Sequence, residues 1–168
     1  MEPKITKLIS YLYSEKYKYK YSRSMINELK INHEDELYLA VSNYFANETN
    51  PDIRNRLANA FHDLGDRRAL VDLIKSIRNP KTYGDRGTLV YAMSDFHPIE
   101  YIYDLVFVVI NDTWEASGNA LDIIESLNGT IDEKEFEKCV ELISTSISKV
   151  KGKRREDVKY LLEFFESE

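Results

Sequence analysis

With 168 residues and 43% hydrophobic content, the chain is sized for one domain with a sizeable core. Its net charge of −6 argues against a general binder of duplex nucleic acid, because neutralising phosphates needs a surplus of Lys and Arg. One cysteine, Cys139, cannot form an intrachain disulfide, no apolar run of about 18 residues occurs, and the N-terminus lacks the apolar segment of a signal peptide, so a cytoplasmic protein with no membrane partner is expected.

Only six glycines and four prolines punctuate the chain, which favours helices over a turn-rich β fold. The spacing predicts helices over 3–14, 34–48, 51–64, 67–78, 83–95, 98–110, 113–127, 132–149 and 154–167. Between the first two, Tyr alternates with Lys at a strand-like period, and 15–31 reads as a linker and a short helix. Asn50 followed by Pro51 has the pattern of a helix cap and a first-turn proline. Asp112 with Glu115, and Thr130 with Glu133, have capping-box spacing, and Gly65 and Gly129 suit a left-handed position after a helix end.

The chain also repeats. Arg54, Leu57, Ala60 and Phe61 recur 32 residues later as Arg86, Leu89, Ala92 and Met93, and a looser copy places Ser117, Ala120, Ile123 and Ile124 a further 31 on. A second pattern interleaves with the first, as Val71-Asp72-Leu73-Ile74, Tyr103-Asp104-Leu105-Val106 and Val140-Glu141-Leu142-Ile143. Two helical patterns alternating at a period near 31 to 37 residues describe a helix pair stacked on copies of itself.

Residues 50–80 carry Asn50-Pro51, Ile53-Arg54, Ala60-Phe61, Leu64-Gly65-Asp66, Arg68-Ala69-Leu70 and Leu73-Ile74, and this stretch resembles the HEAT-like repeat of bacterial scaffold proteins and phycobilin lyases. The likeness weakens through 81–128, where Ser94-Asp95-Phe96 stands in place of a Gly-Asp. It implies an all-α class: an α-solenoid of about four stacked helix pairs, with residues 1–31 as N-terminal capping helix and linker and 32–168 as repeats of a single domain. Proteins of this class mostly bind other macromolecules, and the resemblance does not name the partner.

Few residues suggest catalysis. His33, His62 and His97 lack the pairing of a metal site on one helix, and no phosphate-binding glycine loop or nucleophile elbow occurs, so no cofactor and no enzymatic activity are expected. Cys139 has the apolar helical neighbours of a buried thiol, and Trp114 reads as a wedge between repeats. Tyr11, Tyr13, Tyr17, Tyr19 and Tyr21 crowd a basic N-terminus, where they either pack over the first repeat or stack on nucleic acid, with packing preferred.

Charge is unevenly laid out. Residues 1–30 carry +4, whereas residues 95–145 hold twelve acids against Lys134 and Lys138. That stretch is either a solvated face or a docking surface for a basic partner. The repeat register makes Asn59, Tyr91 and Asp122 equivalent, likewise Asp63, Asp95 and Ser126, with His62, Ser94 and Glu125 one residue earlier. Together with Glu115, these acids and their neighbours outline a groove that grows more acidic toward the C-terminal half. The candidate partner-binding set is therefore Asn59, His62, Asp63, Tyr91, Asp95, Glu115, Asp122 and Glu125. The expectation is a protein-binding solenoid whose partner has a basic surface, such as an immunity protein covering a nuclease toxin; an adaptor, a DNA glycosylase or a phycobilin lyase are the alternatives.

Overall fold

The computed structural model describes residues 2–166, which form nine α-helices and no strand among them. Two compact units divide the chain, one through Ser76 and the other from Ile77.

The first unit opens with α1 (Pro3–Leu12), where Glu2 accepts from the Lys4 amide and Pro3 takes a first-turn position with no N–H to lose. Ile5, Leu8, Ile9 and Leu12 form its buried stripe at helical spacing. Next comes α2 (Tyr19–Phe45), bent at His33, whose φ of −137° and ψ of 30° are not helical. Most of the Tyr/Lys stretch expected to be linker is therefore helix. The reason is packing: Ser22, Ile26 and Leu29 bury one face, and the side chains of Tyr19 and Arg23 both reach Asp63. Helix α3 (Pro51–Leu64) begins and ends as its sequence dictates. Asn50 Oδ1 accepts from the Asp52 and Ile53 amides at 2.9 and 3.4 Å, and Gly65 adopts φ 74°, which costs an L side chain but not glycine. Helix α4 (Ala69–Arg78) follows, with Ala69, Leu70, Leu73 and Ile74 buried.

In the second unit α5 (Gly87–Tyr91) is short, and the expected continuous helix over 83–95 is broken. Gly84 at φ 91° blocks a start at Tyr83, and beyond Tyr91 the chain tightens into a 3-10 turn at Ser94–Phe96. His97 then takes a left-handed φ of 46°, consistent with the bar that Pro98 places on right-handed helix in the residue before it. Helix α6 (Ile102–Asn111) is apolar nearly all round and buries Ile102, Leu105, Val106, Val108, Val109 and Ile110, as a helix covered on several sides must. It packs against α7 (Trp114–Ser126), α8 (Glu133–Ser146) and α9 (Lys153–Glu166); α5 packs against α7, and α8 against α9. Ser167, the last residue of the expected ninth helix, lies outside the described residues.

Two expected caps are displaced by one and two residues. Thr113, not Asp112, caps α7, because Asp112 turns inward to a buried guanidinium; Asp132, not Thr130, caps α8, accepting from the Lys134 and Glu135 amides. Gly129 does have positive φ, at 131°, but lies two residues past the cap of α7 rather than closing it.

The sequence echo has a physical counterpart. Arg54 and Arg86 are 5% and 4% exposed, and Leu57, Ala60, Phe61 and their partners Leu89, Ala92, Met93 are all buried. Arg86 donates to Asp112 Oδ2 at 2.8 Å, to the Asn79 carbonyl at 3.1 Å and to Thr82 Oγ1 at 3.2 Å. In the third copy the arginine is replaced by Ser117, also buried, whose hydroxyl donates to the Val109 carbonyl. A guanidinium still arrives there from outside the repeat: Arg154 of α9 donates to the carbonyls of Val109 and Asp112, satisfying acceptors at the C-terminal end of α6.

Candidate functional site

Five of the residues that the repeat register aligns in the second unit line one cleft of about 550 Å³: Tyr91, Ser94, Asp95, Asp122 and Ser126. Tyr91 ends α5 and Ser94 and Asp95 lie on the 3-10 turn after it, while Asp122 and Ser126 lie one turn apart on α7. The packing of α5 on α7 places the two sets on opposite sides. Asn119 and Ile123 of α7 complete that wall, and Asn119 Nδ2 donates to the Gly87 carbonyl at 3.0 Å, tying α7 to the start of α5.

Among the described residues, the lining includes the carboxylates of Asp95 and Asp122 and no Lys or Arg. Asp95, Asp122 and Tyr91 are exposed, the tyrosine by 44%. An aromatic face beside two anionic groups can accept a cationic side chain by charge attraction and by cation–π contact, and it repels phosphate. His97 also lines the cleft. It closes the 3-10 turn with a left-handed backbone, uncommon outside glycine. The His-Pro pair was the available signal.

The remaining candidates stand elsewhere. Glu115 is exposed but lies across Gly87: a Cβ built at Gly87 would sit 2.5 Å from Glu115 Cδ, so glycine is what lets this side chain lie against the α5 backbone. Glu125 is exposed and faces the Tyr160 hydroxyl, whose pKa its hydrogen bond raises. Asn59, His62 and Asp63 belong to the first unit. Asn59 and His62 are half-buried, and the Asp63 side chain is only 1% exposed. Asp63 Oδ1 accepts from the Tyr19 hydroxyl at 2.8 Å and faces Arg23 Nε at 3.3 Å, while Oδ2 is buried with no donor among the described residues. Burial raises its pKa, more than Tyr19, Arg23, His62 and Lys30 lower it. As placed, Asp63 is a structural carboxylate that holds the N-terminal half of α2.

Cys139 is buried among α8 and its neighbours, and burial pushes its thiol up to about 12, which removes it as a nucleophile near neutral pH. Trp114, expected as a wedge, is instead 71% exposed with Lys153 Nζ 5.2 Å from its ring centroid. Because Asp112 turns inward and Thr113 caps, the first residue of α7 faces outward. Most of the N-terminal tyrosines pack: Tyr11 and Tyr17 rings lie 5.9 Å apart, Arg56 covers Tyr17, Tyr13 donates to Glu48 and Tyr19 to Asp63. Among the described residues no cluster of His, Cys, Asp and Glu suits a metal ion, and no helix is long and apolar enough to cross a membrane. No protein-family model and no curated protein matches this chain.

Proposed function

We propose that the protein binds a basic segment of another protein in the cleft between Tyr91, Asp95 and Asp122, acting by occlusion rather than by catalysis. The carrying observation is the convergence itself: residues aligned by the sequence pattern line a single cleft whose charged side chains, among the described residues and apart from the histidine, are carboxylates. The architecture fits a HEAT-like stack. Within the second unit α5 packs on α7 and α6 on α8, and the contact of every second helix is how stacked helix pairs bury their faces. Equivalent burial of Leu57 with Leu89, and of Arg54 with Arg86, supports the same register.

An immunity protein is one natural occupant of this role, since covering the basic active site of a nuclease requires an acidic, shaped surface and no chemistry of its own. The test is binding of a fluorescent Lys/Arg-rich peptide. Asp95→Asn with Asp122→Asn should weaken it about tenfold or more, as losing charge partners at an interface does, while Asp52→Asn on the exposed first turn of α3 should not. Equal affinity of the cleft variant and wild type would refute the site. Tyr91→Ala separates anchor from packing: loss of affinity with unchanged melting marks an anchor.

A further inference from the structure

Helix α6 keeps an aromatic stripe at the surface of the second unit. Tyr103 is half-buried and Phe107 is 41% exposed, one turn apart, while Leu105, Val106, Val108 and Val109 are buried. With Ile77 near the end of α4 and Pro80 on the 3-10 turn Pro80–Thr82, these two rings wall a pocket of about 470 Å³. Small-molecule sites fall at about 300–1,000 Å³ and share this make-up, mostly apolar walls with a few polar groups.

The polar part of the lining, among the described residues, is Arg78, Arg86 and Asp104. Arg86 is buried and held by Asp112, Asn79 and Thr82. Arg78 is exposed and half used. Its Nε and Nη2 donate to the Asp104 oxygens at 2.7 and 2.8 Å, a bidentate pair that fixes the guanidinium plane, and Nη1 donates to no group among the described residues. The second edge, Nη1 with the remaining hydrogen of Nη2, is a fork of the same shape as the first and matches a carboxylate. Glu135, whose charge also reaches Arg78, is itself paired with Lys138 at 2.5 Å. Aromatic walls beside one open fork favour a ligand with a flat apolar body and a single carboxylate. A phosphate would bring a second charge and a hydration shell that these walls cannot replace.

We propose that the pocket between Arg78, Tyr103 and Phe107 binds a small aromatic carboxylate, its ring against the two aromatic side chains and its carboxylate on the free edge of Arg78. Asp104 is then a positioning residue: it occupies one edge of the guanidinium and holds the other toward the ligand. The pocket shares no lining residue with the Asp95–Asp122 cleft, so this site stands or falls independently of the reading given to that cleft.

Titration with cinnamate, and with cinnamamide as its uncharged isostere, is the test, followed by calorimetry and by amide chemical shifts. Wild-type protein should bind cinnamate saturably, with shifts centred on Arg78, Tyr103 and Phe107, and about tenfold or more tightly than the amide, the fold-change of a charge-assisted bidentate pair. Phe107→Ala should weaken both ligands, since each loses the same wall. Arg78→Gln should abolish the preference for the carboxylate and leave the affinity of the amide unchanged, a split that general damage to the fold would not produce. Circular dichroism checks each variant; if Arg78→Gln fails to fold, Arg78→Lys replaces it, keeping a cation beside Asp104 while losing the fork, and should reduce the preference. Asp95→Asn with Asp122→Asn should bind cinnamate as wild type does. No saturable binding, shifts centred away from the pocket, or a carboxylate preference that survives the Arg78 variant would overturn the proposal.

Discussion

Replacing Arg86 by Leu probes the repeat core where its chemistry is least forgiving. The guanidinium is almost wholly buried and makes three hydrogen bonds, to Asp112, Asn79 and Thr82. The Asp112 side chain is 0% exposed, and without Arg86 its carboxylate keeps, among the described residues, the Thr113 amide, at 2.7 Å from Oδ1. Leucine fills much of the space and removes every donor. Stranding one partner of a buried ion pair costs about 3–5 kcal/mol, and the cost comes from the uncompensated charge rather than from lost attraction. Asp112→Asn should be comparably damaging, because it strands the guanidinium. The double variant discriminates: with both charges gone, its loss should undercut the sum of the singles by about 2–3 kcal/mol. Urea unfolding followed by far-ultraviolet circular dichroism measures all four proteins, with equal slopes confirming comparable transitions. If the single losses add, or if Arg86→Leu stays within about 0.5 kcal/mol of wild type, the buried pair is not what organises this part of the core.

Leu57→Ala and Leu89→Ala should each lose about 2–5 kcal/mol in the same assay, since both leucines, which the sequence pattern aligns, are fully buried; negligible loss at both would show the register to be wrong. Asp63 gives a pH signature. Its folded pKa is raised above the ordinary value of 3.8, so the folded state holds the proton more tightly, and this stabilisation is full below 3.8 and is lost as pH rises through the raised folded value. The difference in stability between wild type and Asp63→Asn should therefore slope downward across that acidic interval; an upward slope would mean that Tyr19 and Arg23, not burial, dominate. Cys139 should resist alkylation in native protein near neutral pH and react on unfolding, and rapid native labelling would contradict its buried, raised-pKa placement.

Signals confined to a few residues were legible in the sequence. Asn50-Pro51 and Gly65 start and stop α3 because a cap needs only its own turn. Periodicity also located the core, and Tyr91, Ser94, Asp95, Asp122 and Ser126, which the sequence pattern aligns, line one cleft. Distant partners were not legible. Asp112 read as a cap because its guanidinium is 26 residues away, and the Tyr/Lys alternation read as a linker because Asp63, which holds Tyr19, is 44 residues on. Glu115 and Glu125 read as groove acids for the same reason: the Gly87 backbone and the Tyr160 hydroxyl that occupy them come from other elements.

The central claim is that a basic partner sits in the cleft rather than on the acidic surface at large, and amide chemical-shift mapping during titration with a Lys/Arg-rich peptide tests it most directly. Saturable shifts should cluster at Tyr91, Ser94, Asp95, His97, Asp122 and Ser126 and vanish in the Asp95→Asn, Asp122→Asn protein. Shifts confined to the exposed acids of α8, Glu133, Glu137 and Glu141, or spread without saturation over every carboxylate, would contradict it.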